Sequence, residues 1–209
     1  MTAPDSPIAP RVIAVFDYDG TLVENDSFGQ FLSLLSSAPV FYLRLIEGIV
    51  RFSHAKWKKL PSNLPDPSLR TFVKHHLIKT ILAGRHHDEL RGHVGNLHKL
   101  RRWKRPIHDK LLDHHVRGHH IVIATGSLDL YIYNLLAHVP HHAVICTEMG
   151  VVDGVVTDKM TSGNCTHDRK AERVRAYIEE HGPFDDSYGY GNTPHDLAML
   201  SLLNHKVIV

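Results

Sequence analysis

The sequence predicts an α/β protein: a parallel sheet covered by helices on both faces, with an all-helical module inserted after the first strand. Three observations carry this. Short apolar, β-branched runs recur at residues 11–17 (RVIAVFD), 120–125 (HIVIAT), 143–147 (AVICT), 187–191 (SYGYG) and 206–209 (KVIV). Helical patterns fall between the later runs, as a parallel sheet requires. The first two runs are separated by some eighty residues with helical periodicity and no convincing strand. Residues 1–25 together with 106–209 are therefore expected to form one unit, and residues 26–105 the inserted module.

Taken in order, residues 11–17 read as a buried strand. Within the insertion, residues 28–35 form one expected helix. Over residues 40–52, Phe41, Leu45, Ile49 and Phe52 line one face while Arg44, Glu47 and Arg51 line another. PSNLPDP (61–67) is an evident break. Leu69, Phe72, Val73, His76, Leu77 and Ile81 repeat the helical pattern, and Gly84 is placed to end that helix. Helices are expected at 106–116, 128–137, 169–181 and 196–203. Residues 151–156 read as a hairpin, with Asp153-Gly154 suited to a type I′ turn.

The chain has 209 residues and a net charge of +2, with 43% hydrophobic and 22% charged residues, the balance of a folded globular protein. The charge is unevenly spread. Residues 27–105 hold 15 Lys and Arg against 4 Asp and Glu, leaving 9 against 18 elsewhere. A basic module over an acidic one can concentrate anions, or simply be a solvated surface. MTAPDSPIAP has no basic patch followed by an apolar core, and no run of eighteen apolar residues occurs. Neither a secretory signal nor a spanning helix is expected. Two cysteines, Cys146 and Cys165, fit reduced thiols in the cytoplasm. The 19 histidines come largely in doublets whose side chains diverge, so they argue for surface and packing rather than a metal site.

The strongest chemical signal is VFDYDGTL, residues 15–22. Asp17 and Asp19 stand one residue apart where a buried strand ends, and ligands of open parallel sheets gather at that end. Two carboxylates so close repel unless a cation or a shared proton compensates. A calcium loop would need a glutamate at the twelfth position, where Phe28 stands.

These residues resemble the first motif of the haloacid dehalogenase superfamily, in its phosphoserine-phosphatase-like branch (subfamily IB). The second motif of that superfamily, a strand ending in Thr or Ser, is matched by IVIATGS with Thr125 and Gly126. The third is a lysine following a cysteine by five residues, matched by Cys165 to Lys170. The fourth, an acidic motif, reads Gly191-Asn192-Thr193-Pro194-His195-Asp196. The resemblance implies a Rossmann-like core and a helical cap of the C1 type between the first two motifs. It implies a Mg²⁺-dependent phosphomonoester hydrolase acting on a small phosphorylated metabolite through an aspartyl-phosphate. Asp17 would be the nucleophile and a metal ligand, and Asp19 the acid-base with its carbonyl on the metal. Thr125, Gly126 and Lys170 would bind the phosphate.

One departure bears on the metal. Asn192 stands where the superfamily commonly has a carboxylate, so Asp196 is expected to be the stronger ligand and Asn192 the weaker. Asp26 either lines the substrate pocket or caps the following helix. A phosphotransferase, a lipid-phosphate phosphatase at a membrane surface and a catalytically silent phosphate-binding protein remain as alternatives. No nucleic-acid recognition motif accompanies the basic segment.

Overall fold

A computed structural model describes residues 11–58 and 68–209. The break at 61–67 and the segment MTAPDSPIAP lie outside the described residues.

The first strand, β1 (Val12–Phe16), is buried along its whole length because it occupies the middle of the sheet. Its neighbours are β2 (His120–Leu128) and β6 (Asp186–Gly191), both parallel to it. Beyond them lie β3 (Ala143–Thr147) and β7 (His205–Ile208), giving the order β3-β2-β1-β6-β7. Val15 pairs with Val122 on one side and Gly189 on the other, so the carboxyl ends of the three central strands finish side by side. That alignment puts Asp17, Thr125 and Asn192 at one edge of the sheet.

Each face of the sheet has its own core. One packs Ile13, Val15, Val122 and Ala124 against α7 (His167–His181) and the short α8 (Leu197–Leu200). The other packs Ala14, Phe16, Ile121 and Ile123 against α5 (Arg105–Val116), α6 (Asp129–Leu135) and the inserted helices. Those inserted helices are α1 (Ser27–Leu35), α2 (Ala38–Trp57), α3 (Leu69–Leu77) and α4 (His87–Leu100). Phe31 and Leu32 of α1 are fully buried in the same cluster as Phe16, which joins the insertion to the sheet by contributing on the order of 2 kcal/mol per side chain.

Several boundaries differ from the sequence reading. The helix expected through Ile81 stops being α-helical at Leu77 and widens into a π turn over Ile78–Leu82, closed by Ala83 N–H to Ile78 C=O at 2.9 Å. Gly84 then takes φ +87°, the left-handed conformation that ends it. Strand β2 runs on to Leu128 across an irregularity between Ala124 and Leu128, displacing the start of the next helix to Asp129. Helix α8 is one turn, shorter than the expected 196–203.

The hairpin of β4 (Met149–Val152) and β5 (Val155–Met160) turns through Asp153 (φ 50°) and Gly154 (φ 78°), as a type I′ turn demands. It abuts the insertion, since Gly84 N–H donates to Val156 C=O and Val156 N–H to Arg85 C=O, each at 2.9 Å. No helix among the described residues is long and apolar enough to cross a membrane.

Candidate active site

Asp17 is the first residue beyond β1, and its N–H still donates to Tyr190 C=O at 2.9 Å. The chain then turns sharply at Gly20, whose φ of +78° and approach to Asn192 leave no room for a side chain. This turn brings Thr21 back so that its hydroxyl donates to Asp17 Oδ2 at 2.8 Å. The other oxygen, Oδ1, accepts from Lys170 Nζ at 2.7 Å.

Lys170 lies in the first turn of α7 and donates equally to Asp196 Oδ1 at 2.6 Å. All three groups are buried. Burial pushes the Asp17 carboxyl above the usual range; the Lys170 charge opposes that and the Asp196 charge adds to it. Burial also works against the Lys170 charge, but the two carboxylates outweigh it and hold the ammonium above the ordinary lysine range. When ionised, the two carboxylates outnumber the one ammonium beside the cavity.

Asp19 faces a different set of partners. Ser27 N–H donates to its Oδ1 at 2.8 Å, and the hydroxyls of Ser27 and Ser127 donate to Oδ2 at 2.9 and 2.5 Å. Burial and the Asp26 charge raise its pKa to about 6, against the pull of those hydrogen bonds. A carboxyl titrating there can give a proton and take one back near neutral pH.

Thr125 is fully buried in β2, its hydroxyl accepting from Ser127 N–H at 3.1 Å. Gly126 follows, and a side chain there would strike Thr166 at 2.9 Å. Asn192 points its amide nitrogen at Asp19 C=O (3.0 Å) and at Asp17 Oδ2 (3.4 Å). Asp196 accepts from the Asn192 N–H on Oδ2 at 2.9 Å and from Lys170 on Oδ1. Both Asp196 oxygens are engaged, whereas the Asn192 amide faces the Asp17 and Asp19 oxygens. Asp26 caps α1, its Oδ1 accepting from Phe28 N–H at 3.2 Å, and also lines the cavity.

All eight expected site residues border one cavity of about 490 Å³. Four others at or beside it escaped the sequence reading. Ser27 and Ser127 hold Asp19 as described. Lys74, buried on α3, donates to Gly126 C=O at 2.5 Å, Asn164 Oδ1 at 2.7 Å and Thr147 Oγ1 at 3.3 Å. Asn164 donates in turn to Thr71 and Thr166. Burial lowers the Lys74 pKa to about 8. The only signals in the sequence are that Ser127 closes IVIATGS and that Ser27 follows Asp26.

The chemistry of the donors is that of a hard-cation and phosphate site. Carboxylate and backbone carbonyl oxygens of Asp17 and Asp19 converge beside the Asn192 amide, whose nitrogen faces them, with an ammonium behind. Among the described residues no cluster of three or more His, Cys, Asp or Glu side chains is arranged to hold a metal ion.

The model of the haloacid dehalogenase-like hydrolase family matches residues 14–201. A protein of unknown function from Bordetella pertussis Tohama I superposes with a TM-score of 0.76 at 17% identity, over 96% of this chain and 90% of that one. A substrate-bound phosphoserine phosphatase gives 0.61 at 14% identity, over 95% and 85%. Cytosolic 5′-nucleotidase IIIB bound to cytidine gives 0.59 at 16% identity, over 95% and 72%. No protein of curated function is similar enough in sequence to match.

Proposed function

Because the chain belongs to the haloacid dehalogenase-like hydrolases, we propose that it is a Mg²⁺-dependent phosphatase working through an aspartyl-phosphate on Asp17. The observation that carries this reading is the Asp17–Lys170 contact of 2.7 Å, with Asp19 two residues away and titrating near 6. A carboxylate nucleophile approaching an anionic phosphate needs a cation beside both, and Lys170 stands there.

The residues present fit Mg²⁺, which keeps several waters and takes one or two carboxylates plus substrate phosphate. Asp17 Oδ2, the Asp19 carbonyl and the Asn192 amide, turned to present its oxygen, would hold it. When bound it would neutralise charge on the phosphoryl oxygens.

The steps of this chain's own groups follow. An oxygen of Asp17 attacks phosphorus as the ester P–O bond breaks, and Asp19 gives its proton to the departing alcohol oxygen. Asp19, now ionised, takes a proton from water, whose oxygen attacks phosphorus and frees Asp17. Thr125, the Gly126 region and Lys170 hold the phosphoryl oxygens. The hydrogen bonds from Ser27 and Ser127 keep Asp19 aimed between the two steps. Residues 26–105 serve as the cap that reads the alcohol, with Asp26 at its edge.

The test is release of p-nitrophenol from p-nitrophenyl phosphate, with Mg²⁺ and with EDTA, by the wild type beside Asp17→Asn. Metal-dependent release by the wild type alone is expected. Undiminished turnover in Asp17→Asn would overturn the mechanism.

A further inference from the structure

We propose that the esters this site hydrolyses are amphiphiles: phosphate monoesters whose alcohol carries an aliphatic chain, held by α2 and α3. The inference rests on the phosphatase reading above and names its substrate class.

The cavity has two unlike parts. Its floor is the polar constellation of Asp17, Asp19 and Lys170. Its walls include Phe28, Phe41, Leu45, Ile49, Val73 and Leu77, drawn from α1, α2 and α3. Lys74 and Asn164 among those walls are committed to partners, while Arg70, exposed on α3, and His195 also line the cavity. An ammonium has three donors, and Lys74 directs them to Gly126, Asn164 and Thr147. Asn164 is tied to Lys74, Thr71 and Thr166, and Asp26 to the start of α1. Along the apolar part of the walls a polyhydroxylated alcohol would lose hydration without regaining hydrogen bonds. A hydrocarbon chain would gain from them.

The apolar surface also continues out of the cavity. At 3.6 residues per turn, Tyr42, Ile46 and Val50 adjoin the stripe of Phe41, Leu45 and Ile49 on α2. Ile49 lines the cavity yet is 41% exposed, and Tyr42, Ile46 and Val50 are each 59% exposed. Among the described residues these side chains are left exposed. Gly48 is the one buried residue among the twenty of α2, where a side chain would press on His76 at 3.1 Å. Helix α2 thus carries a wide apolar face that begins beside the catalytic floor and ends in solvent. Its continuity with the cavity identifies the occupant as the chain of the substrate being cleaved. A second protein would have no reason to follow the stripe inward.

The experiment measures kcat/KM for straight-chain alkyl phosphates from butyl to dodecyl, each below its critical micelle concentration, with Mg²⁺. In parallel, Kd is measured for the matching alkylphosphonates, which bind without turning over. Each methylene is expected to raise kcat/KM and tighten Kd by about two- to fourfold until the chain outruns the stripe. In Leu45→Gln and Ile49→Gln the dependence on chain length is expected to flatten. A wild type that cleaves butyl and dodecyl phosphate equally well would overturn the substrate class while leaving the phosphatase reading intact. Gains seen only on micelles or vesicles would also overturn it, in favour of the stripe docking to a lipid surface. Absence of release from the alkyl series and from p-nitrophenyl phosphate alike would instead remove the phosphatase reading on which it rests.

Discussion

The amide nitrogen of Asn192 lies 3.0 Å from the main-chain carbonyl of Asp19, so the fourth motif contributes a neutral group to the oxygens gathered at the end of β1. Affinity of such sites for divalent cations is set largely by ligand charge. Asn192→Asp adds a carboxylate next to Asp17 and is expected to lower the Mg²⁺ concentration for half-maximal activity by about tenfold, or 1.4 kcal/mol. The same change crowds carboxylates when no cation is present, so the metal-free variant should unfold at lower temperature than the wild type. Magnesium titration of activity and thermal scans in EDTA check both halves.

Asp17 and Asp196 share Lys170 at the buried end of the cavity, an arrangement with one carboxylate more than the ammonium can match. Removing the charge of Asp17 relieves that excess and leaves one intact ion pair. Asp17→Asn should therefore lose turnover by about 10⁴-fold or more while its stability stays level or rises by about 1 kcal/mol. Urea unfolding of both proteins in EDTA provides the measurement. A variant both inactive and strongly destabilised would show that Asp17 holds the fold together.

Removing Lys170 has the opposite effect on the fold. Lys170→Met leaves Asp17 and Asp196 buried with no cation between them, at a cost of about 3–5 kcal/mol near neutral pH. Turnover should fall by at least about 10²-fold. Because the penalty comes from ionised carboxylates, the gap in unfolding free energy between variant and wild type should narrow as pH is lowered. A gap independent of pH would mean that packing around the α7 start, rather than charge, was lost.

The parts of this site written in contiguous residues are legible in the sequence. VFDYDGTL announces a strand end with two carboxylates, because the apolar run and the Asp-x-Asp-Gly turn are both local features. Thr125 and Lys170 gain meaning only through their order along the chain. Lys74 is not to be found that way. It sits in a segment with 15 Lys and Arg, and nothing local separates it from Lys79 a little over a turn on, which is exposed. What buries Lys74 is the packing of α3 over Gly126 and Asn164, residues 52 and 90 positions away in the sequence. The partners of Asp196 have the same origin, because only the fold reveals that Lys170 and the Asn192 N–H donate to it.

A histidine remote from the site sets a separate pH dependence. His114 on α5 is buried against Phe16, and its ring nitrogens contact His119 Nδ1 at 2.7 Å and the Tyr190 hydroxyl at 2.9 Å. Burial, with the neighbouring His119 adding to it, lowers its pKa from 6.5 to about 4. Below pH 6.5 the unfolded chain takes up a proton that the folded chain refuses until about pH 4. Stability is therefore fully present above 6.5 and lost as pH falls through that window, on the order of 3 kcal/mol from this group. Urea midpoints between pH 7.5 and 4 should fall more steeply in the wild type than in His114→Gln. Parallel curves would assign the acid sensitivity to other groups.

Lys74 is expected to matter to rate through the backbone it holds. Its ammonium fixes Gly126 C=O, directly beyond Thr125, and gathers Thr147 and Asn164 around the same point. Lys74→Met keeps the apolar stem and removes three hydrogen bonds; Gly126 C=O keeps Thr147 and Thr147 keeps Cys165 N–H, so Asn164 Oδ1 is left unsatisfied at a cost of about 1–3 kcal/mol. With Gly126 held by Thr147 alone, the phosphate loop is less firmly placed, and kcat should fall by about tenfold with less change in KM. Lys74→Arg is the informative companion, because it retains charge but cannot fit its planar fork to three acceptors arranged for an ammonium. If charge alone mattered, Lys74→Arg would match the wild type in both kcat and stability. A kcat loss shared by both variants would assign the role to the ammonium's geometry.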